Sequence, residues 1–161
     1  MRIYADAAYG VHQSGKSQTG IYITLGRGPI LWKSFKQRCV TKSSCEAEII
    51  ALSDIVSLSI WIREILIENG NMADIDAVKI MEDNEAAIKL VTYGGSKSDI
   101  SKHVHIRNCF ITQYIKNGTL KIEYCPTERM IADLFTKPLP RALFLQLRGY
   151  LLGYTVCVGE Y

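Results

Sequence analysis

The sequence predicts an α/β fold, a mixed sheet with helices packed on its faces. Three observations predict it. The stretch up to Lys36 holds three β-rich runs joined by short, turn-like links, which suits an antiparallel meander. An unbroken helical pattern then covers Ser43 to Glu68. Beyond it, strand-like runs alternate with helical ones, the order that builds parallel strands.

Each element has its own signal. Ile3 to Tyr9 is apolar and aromatic and reads as a strand. Gly10 to Gln18 is polar and turn-like. Gly20 to Leu25 is β-branched and aromatic, a second strand, and Gly26-Arg27-Gly28-Pro29 is a turn. Ile30 to Lys36 alternates and reads as a third strand. Ser43 followed by Glu46 is a capping-box pattern, and Asn69-Gly70 is a helix stop. Ala77 to Met81 is a short apolar run, expected as a buried strand. Asn84 to Tyr93 and His103 to Lys116 read as helices, with a polar loop at Ser96–Lys102 between them. Thr119 to Tyr124 is a strand closed off near Pro126. Thr127 to Phe135 reads as one helix with Thr127 as its cap. A last amphipathic helix is expected from Arg141 to about Leu152.

Composition narrows the class. The chain has 161 residues, the size of one domain. Its 48% hydrophobic and 22% charged content excludes disordered, collagen-like and coiled-coil chains. No apolar run approaches the roughly 18 residues of a membrane helix, so no membrane role is expected. The opening Met1-Arg2-Ile3-Tyr4-Ala5-Asp6 does not read as a signal peptide, and the Asn117-Gly118-Thr119 sequon is expected to be unused. The five cysteines are odd in number and show no C-x-x-C spacing, which fits a reducing compartment. The net charge of +3 is mildly basic and permits a nucleic-acid partner. Lys33, Lys36, Arg38 and Lys42 crowd one stretch. They suit phosphate contact, or equally a solvated edge strand.

Gly10-Val11-His12-Gln13-Ser14-Gly15-Lys16-Ser17 matches the phosphate-binding loop G-x-x-x-x-G-K-S. That chemistry needs a helix N-terminus next, to aim backbone N–H groups at phosphates. Here Gln18-Thr19-Gly20-Ile21-Tyr22-Ile23-Thr24 follows and reads as strand, so a hairpin turn is the better reading.

Four carboxylates stand in apolar surroundings. Asp6 interrupts the first strand, where it either faces water at an edge or needs a compensating partner. On the long helix, Glu46 shares a face with Ser53, Ser57 and Glu64 and is expected as a cap or a solvated group. Glu48 falls with Leu52, Ile55 and Leu66 on an apolar face, so it needs a partner. Asp83 ends the fourth strand, where α/β sheets gather ligands, or it caps the next helix. Asp133 lies in Met130-Ile131-Ala132-Asp133-Leu134-Phe135, on a functional or a solvated face. If the four converge, their hard oxygens suit Mg²⁺.

Several motifs together carry a resemblance. They are Tyr4-Ala5-Asp6-Ala7, Gly15 to Gly20, Trp32-Lys33-Ser34, Ser43-Ser44-Cys45-Glu46-Ala47-Glu48, Glu82-Asp83-Asn84, Ser101-Lys102-His103, and Ala132-Asp133-Leu134-Phe135-Thr136-Lys137-Pro138-Leu139. In order and spacing the chain resembles the ribonuclease H domain of copia-type LTR-retrotransposon Pol polyproteins, over nearly its whole length. The resemblance implies a ribonuclease H-like fold with a five-stranded mixed sheet, its domain at 1–138, and a C-terminal helix and tail at 139–161 packing on or extending it. It implies hydrolysis of the RNA strand of an RNA–DNA hybrid during reverse transcription. The implied catalytic and metal-holding residues are Asp6, Glu48, Asp83 and Asp133, with two Mg²⁺ ions (or Mn²⁺) and Asp6 bridging both. The reverse transcriptase domain of the same polyprotein is the implied partner, and it is expected outside this chain. The isolated domain is expected to be monomeric, and its setting cytoplasmic, in a virus-like particle.

Two departures from wider ribonuclease H patterns stand out. The loop before Asp133, Cys125-Pro126-Thr127-Glu128-Arg129, lacks a histidine, which leaves Glu128 or His103 as accessory groups. His105 stands where the family usually carries aspartate. His103, His105 and Cys109 sit on one short helix start, the wrong spacing for a zinc site. A catalytically weakened nucleic-acid-binding or tethering module is the alternative to an enzyme, and a nucleotide binder ranks behind both.

Overall fold

β1 (Arg2–Ala8) lies in the middle of a five-stranded sheet of order β3-β2-β1-β4-β5. A computed structural model of the chain describes residues 1–26, 28–70, 77–94 and 100–154. β2 (Lys16–Thr24) and β3 (Pro29–Val40) complete the antiparallel meander. β4 (Val78–Glu82) runs parallel to β1, and β5 (Leu120–Tyr124) runs parallel to β4. The mixed five-stranded sheet is therefore the one the sequence implies. The helices are α1 (Ser44–Glu68), α2 (Glu85–Tyr93), α3 (Lys102–Lys116) and α4 (Arg141–Leu151). Among the described residues, no helix is long and apolar enough to cross a membrane.

α1 starts where the capping box places it, with the Ser43 hydroxyl accepting the Glu46 N–H. Its Ile49, Ile50, Leu52, Ile55 and Val56 are fully buried in a core shared with Ile3 and Ala5 of β1, Ile21 and Ile23 of β2, and Ile80 of β4. Each such side chain contributes about 1.5–3 kcal/mol on burial. A second cluster lies around Tyr4, Tyr22, Met130, Ile131 and Ala132, with Tyr150 and Leu151 of α4 packed against it.

Three elements differ from the sequence reading. β2 begins at Lys16 rather than Gly20. Its opening residues look turn-like because their hydroxyls are polar, yet Ser17 and Thr19 are buried and hydrogen-bonded. Ser17 Oγ accepts the Gly10 N–H, and Thr19 Oγ1 accepts from Gln37 Nε2. Strand directly after Ser17 also removes the helix N-terminus that phosphate binding would need. β3 runs on to Val40, with a register shift that absorbs the extra length.

The segment read as one helix, Thr127 to Phe135, is two 3-10 turns, Thr127–Arg129 and Ile131–Phe135, broken at Met130. The break lets Met130, Ile131 and Ala132 all be buried, which a single α-helix stripe does not allow. Thr127 is not its cap; Pro126 holds that position. Residues 96–99 of the expected polar loop, and Cys157 with the tail beyond 154, lie outside the described residues.

Candidate active site

Asp6, Glu48, Asp83 and Asp133 meet at one end of the sheet. Asp6 comes from the centre of β1, Glu48 from the second turn of α1, Asp83 from the residue just past β4, and Asp133 from the second 3-10 turn. Among the described residues, the groups whose ligand atoms lie within 4.8 Å of one another are two: Asp6, Asp83 and Asp133; and Glu48, Glu82 and Asp83. Asp83 is common to both, whereas the resemblance implied Asp6 as the bridge.

Backbone geometry explains the convergence. Asp6 pairs in register with Gly20 of β2. A Cβ on Gly20 would lie 2.6 Å from the Ala132 carbonyl oxygen and 2.7 Å from Thr136 Cγ2. Only a residue without a side chain lets the 3-10 turn lie this close to the sheet. Ser34 Oγ of β3 donates to the Phe135 carbonyl at 2.5 Å and ties the same turn to the sheet edge. Gln18 Nε2 donates to Ser34 Oγ, and His12 Nε2 lies 2.8 Å from Gln18 Oε1.

Two side chains beyond the predicted set touch these acids. The Thr136 hydroxyl donates to Asp6 Oδ2. Lys137 Nζ lies 2.9 Å from Asp133 Oδ1 and 3.8 Å from Asp6 Oδ1. A third, Glu82, is fully buried at the end of β4. Its Oε1 accepts the Asn84 N–H at 3.0 Å. The buried Oε2 atoms of Glu48 and Glu82 have no hydrogen-bond partner. The sequence does carry a signal for Glu82: it alternates with Val78 and Ile80, so it falls on the buried side of its strand. Lys137 likewise stands four residues after Asp133, the spacing of an ion pair on a helical turn.

The electrostatics follow from crowding. Burial raises the Asp6 carboxyl, although Lys137 and the Thr136 hydroxyl pull it down. Burial, then the charges of Glu82 and Asp6, hold Glu48 well above the usual range. Burial does the same for Glu82, against the Asn84 N–H. Burial and the charge of Asp6 push Asp133 up to about 7 despite Lys137. Burial alone would lower the Lys137 ammonium; Asp6 and Asp133 overcome it and hold it above its usual range. Buried carboxylates with unmet oxygens, no histidine or cysteine among them, and raised proton affinity form a donor set that fits hard divalent cations.

The other predicted residues spread out. The pleat of β3 separates Lys33 from Lys36 and Arg38. Lys33 lies on the α1 side, its ammonium 5.2 Å from the Phe35 ring centroid. Lys36 and Arg38 share the face of Ser34, the side on which the 3-10 turn docks. Lys42 is exposed before α1, its backbone N–H donating to Glu46 Oε2.

Glu128 is exposed beside Thr127, whose hydroxyl donates to Asp83 Oδ2 at 3.0 Å. His103 is exposed at the start of α3, where its charge acts on Glu46 rather than on the four acids. Glu46 is not solvated but 1% exposed. It accepts from the Lys42 N–H and from the N–H and hydroxyl of Ser101. Burial would raise its carboxyl, but these donors together hold it below the usual range. His105 Nε2 lies 3.6 Å from Cys109 Sγ, and neither joins a metal-capable group among the described residues.

No family model matches the chain. It is 34% identical over 145 residues, 89% of its length, to the retrovirus-related Pol polyprotein from transposon RE1 of Arabidopsis thaliana. It is 33% identical over 133 residues, 80% of its length, to the corresponding polyprotein from transposon TNT 1-94 of Nicotiana tabacum. The chain spans 10% of the length of each. Its fold is similar to that of LC11-RNase H1, solved in complex with an RNA/DNA hybrid, with a TM-score of 0.58 at 17% identity, over 84% of this chain and 92% of that one.

Proposed function

Because the chain belongs to the ribonuclease H domains of copia-type retrotransposon Pol polyproteins, we propose that it hydrolyses the RNA strand of RNA–DNA hybrids formed during reverse transcription. The observation that carries this reading is the convergence of Asp6, Glu48, Asp83 and Asp133 from four separate elements.

Bound there, two Mg²⁺ or Mn²⁺ ions would supply the activation of the attacking water and the neutralisation of the departing 3′ oxygen. The chain's own groups do the rest. Asp83 serves both groupings of acids and fixes their spacing. Thr136 orients Asp6 by donating to Oδ2. Lys137 holds Asp6 and Asp133 together in the absence of other cations. Lys36 and Arg38, on the face where the 3-10 turn docks, contact backbone phosphates and set salt dependence rather than sequence choice. RNA is distinguished from DNA through its 2′-hydroxyls in the wide minor groove. The partner is the reverse transcriptase domain of the same polyprotein, and the setting is the cytoplasmic particle of the element.

The test is cleavage of an end-labelled hybrid by the purified chain. Mg²⁺-dependent cutting of the RNA strand is expected, leaving 5′-phosphate and 3′-hydroxyl ends, and Asp83→Asn should abolish it. Cleavage that survives EDTA or this substitution overturns the reading. Hybrid binding with no cutting in either metal makes the chain a tethering module instead.

A further inference from the structure

We infer that Glu82 is a metal ligand of this chain, forming with Glu48 and Asp83 a divalent-cation position that fills before the one beside Asp6 and Asp133. This rests on the metal-dependent reading above and adds a fifth carboxylate to it.

Val78 and Ile80 are buried on β4 and Lys79 between them is exposed, so Glu82 continues the inward side of the strand. Its side chain is 0% exposed, and that of Glu48 is 4% exposed. A carboxylate at such depth costs several kcal/mol unless charge or hydrogen bonds compensate it. The Asn84 N–H satisfies one oxygen of Glu82. The other oxygen, and Oε2 of Glu48, are buried without any partner. Ligand atoms of Glu48, Glu82 and Asp83 lie within 4.8 Å of one another. Three hard oxygens from a helix, a strand and the residue after it thus face one small volume.

The cluster is also lopsided. Lys137 already places a positive charge 2.9 Å from Asp133 and 3.8 Å from Asp6. Its charge reaches Glu48 as well, but the ion pairs it makes are with Asp133 and Asp6. A cation arriving beside Asp6 and Asp133 must displace or repel an ammonium. A cation arriving beside Glu48 and Glu82 meets the charges of Asp6 and Asp83 as well, each of which acts on Glu48 more strongly than the Lys137 ammonium does. In a buried site this difference is large, because the screening that would erase it in water is weak. The two positions should therefore load unequally, the Glu82 side first.

The experiment is a calorimetric titration of the whole chain with Mn²⁺ alone, without nucleic acid. Two unequal binding steps are expected. Glu82→Gln, close to isosteric, should weaken the tighter step by roughly tenfold or more, at least what loss of an outer-shell partner costs a metal site. Lys137→Met should instead strengthen the weaker step. A Glu82→Gln titration superimposable on that of the unsubstituted chain overturns the inference while leaving the proposed function standing. A chain that binds no Mn²⁺ at all overturns both. Should Glu82→Gln fail to fold, anomalous scattering from Mn²⁺ soaked into crystals of the unsubstituted chain decides. An ion in contact with Glu82 supports the inference, and ions that leave Glu82 untouched overturn it.

Discussion

Gly20 faces Ala132 so closely that a Cβ on residue 20 would stand 2.6 Å from the Ala132 carbonyl oxygen. The obstruction is backbone, so it cannot rotate away. Gly20→Ala should push the 3-10 turn Ile131–Phe135 off the sheet and carry Asp133 with it. Overpacking of this kind costs about 1–3 kcal/mol. A displacement near 1 Å at a reacting group can cost on the order of a hundredfold in rate. Urea unfolding and single-turnover cleavage, run side by side, check both parts. A variant with full activity would mean that the turn does not need this contact.

Removing the Lys137 ammonium should matter most when no metal is present. Lys137→Met leaves Asp6 and Asp133 facing each other with no counter-charge. Lys137 is partly exposed, so the loss should be modest, about 1–2 kcal/mol, or a few degrees of melting midpoint. Saturating Mg²⁺ should restore the midpoint. A deficit that persists in Mg²⁺ would assign Lys137 to the fold rather than to the acids.

The metal-free chain should be more stable at about pH 5 than at about pH 8. Asp133 binds its proton more tightly when folded, with its pKa raised from the ordinary 3.8 to about 7. A group raised on folding contributes stability that is full below its unfolded pKa and lost as pH rises through its folded one. Asp6, Glu48 and Glu82 are shifted in the same direction. Glu46 and Glu123 are lowered, so their contributions disappear only as pH falls through the acid range, below this window. The difference between the two pH values should exceed about 2 kcal/mol. Mg²⁺ should shrink it, since metal replaces protons as the countercharge. Denaturant midpoints measured across the range, with and without Mg²⁺, test this.

Glu46 and Glu48 should separate cleanly. Glu46 bonds the Lys42 N–H and both donors of Ser101, joining the starts of α1 and α3. Glu46→Ala strands those groups and should cost about 2–4 kcal/mol, with no change in Mn²⁺ affinity. Glu48→Gln should do the reverse, keeping or raising metal-free stability and weakening Mn²⁺ binding. Melting curves and Mn²⁺ titration of both variants make the comparison.

Much of this was readable in the residues themselves. Helical spacing separates Glu48 from Glu46, because the apolar stripe of α1 includes one and not the other. That spacing does not reveal that Glu46 is buried too, since α3 covers it from far along the chain. The sheet follows from the meander and the alternation, but the start of β2 does not, because Ser17 and Thr19 imitate a turn until Gln37 and Gly10 satisfy them. Glu82 is overlooked when the strand is taken to end at Met81; one residue more places it among the buried positions. The break at Met130 has no local signature. It follows from the way Tyr4, Tyr22 and α4 receive that segment.

β1 precedes every other element in the chain and yet takes the central place in the sheet. Its antiparallel neighbour follows within a hairpin, but its parallel neighbour β4 comes only after α1, and the turn carrying Asp133 comes later still. Closing such distant pairs is the slow part of folding a sheet of this kind. Until the last of them closes, Asp6 is an ordinary strand aspartate with no Thr136 or Lys137 beside it. Assembly of the four acids is therefore a readout of completed synthesis: a chain stopped short of its late 3-10 turn has every strand of the sheet and still lacks Asp133, so under the proposed function it should not cut.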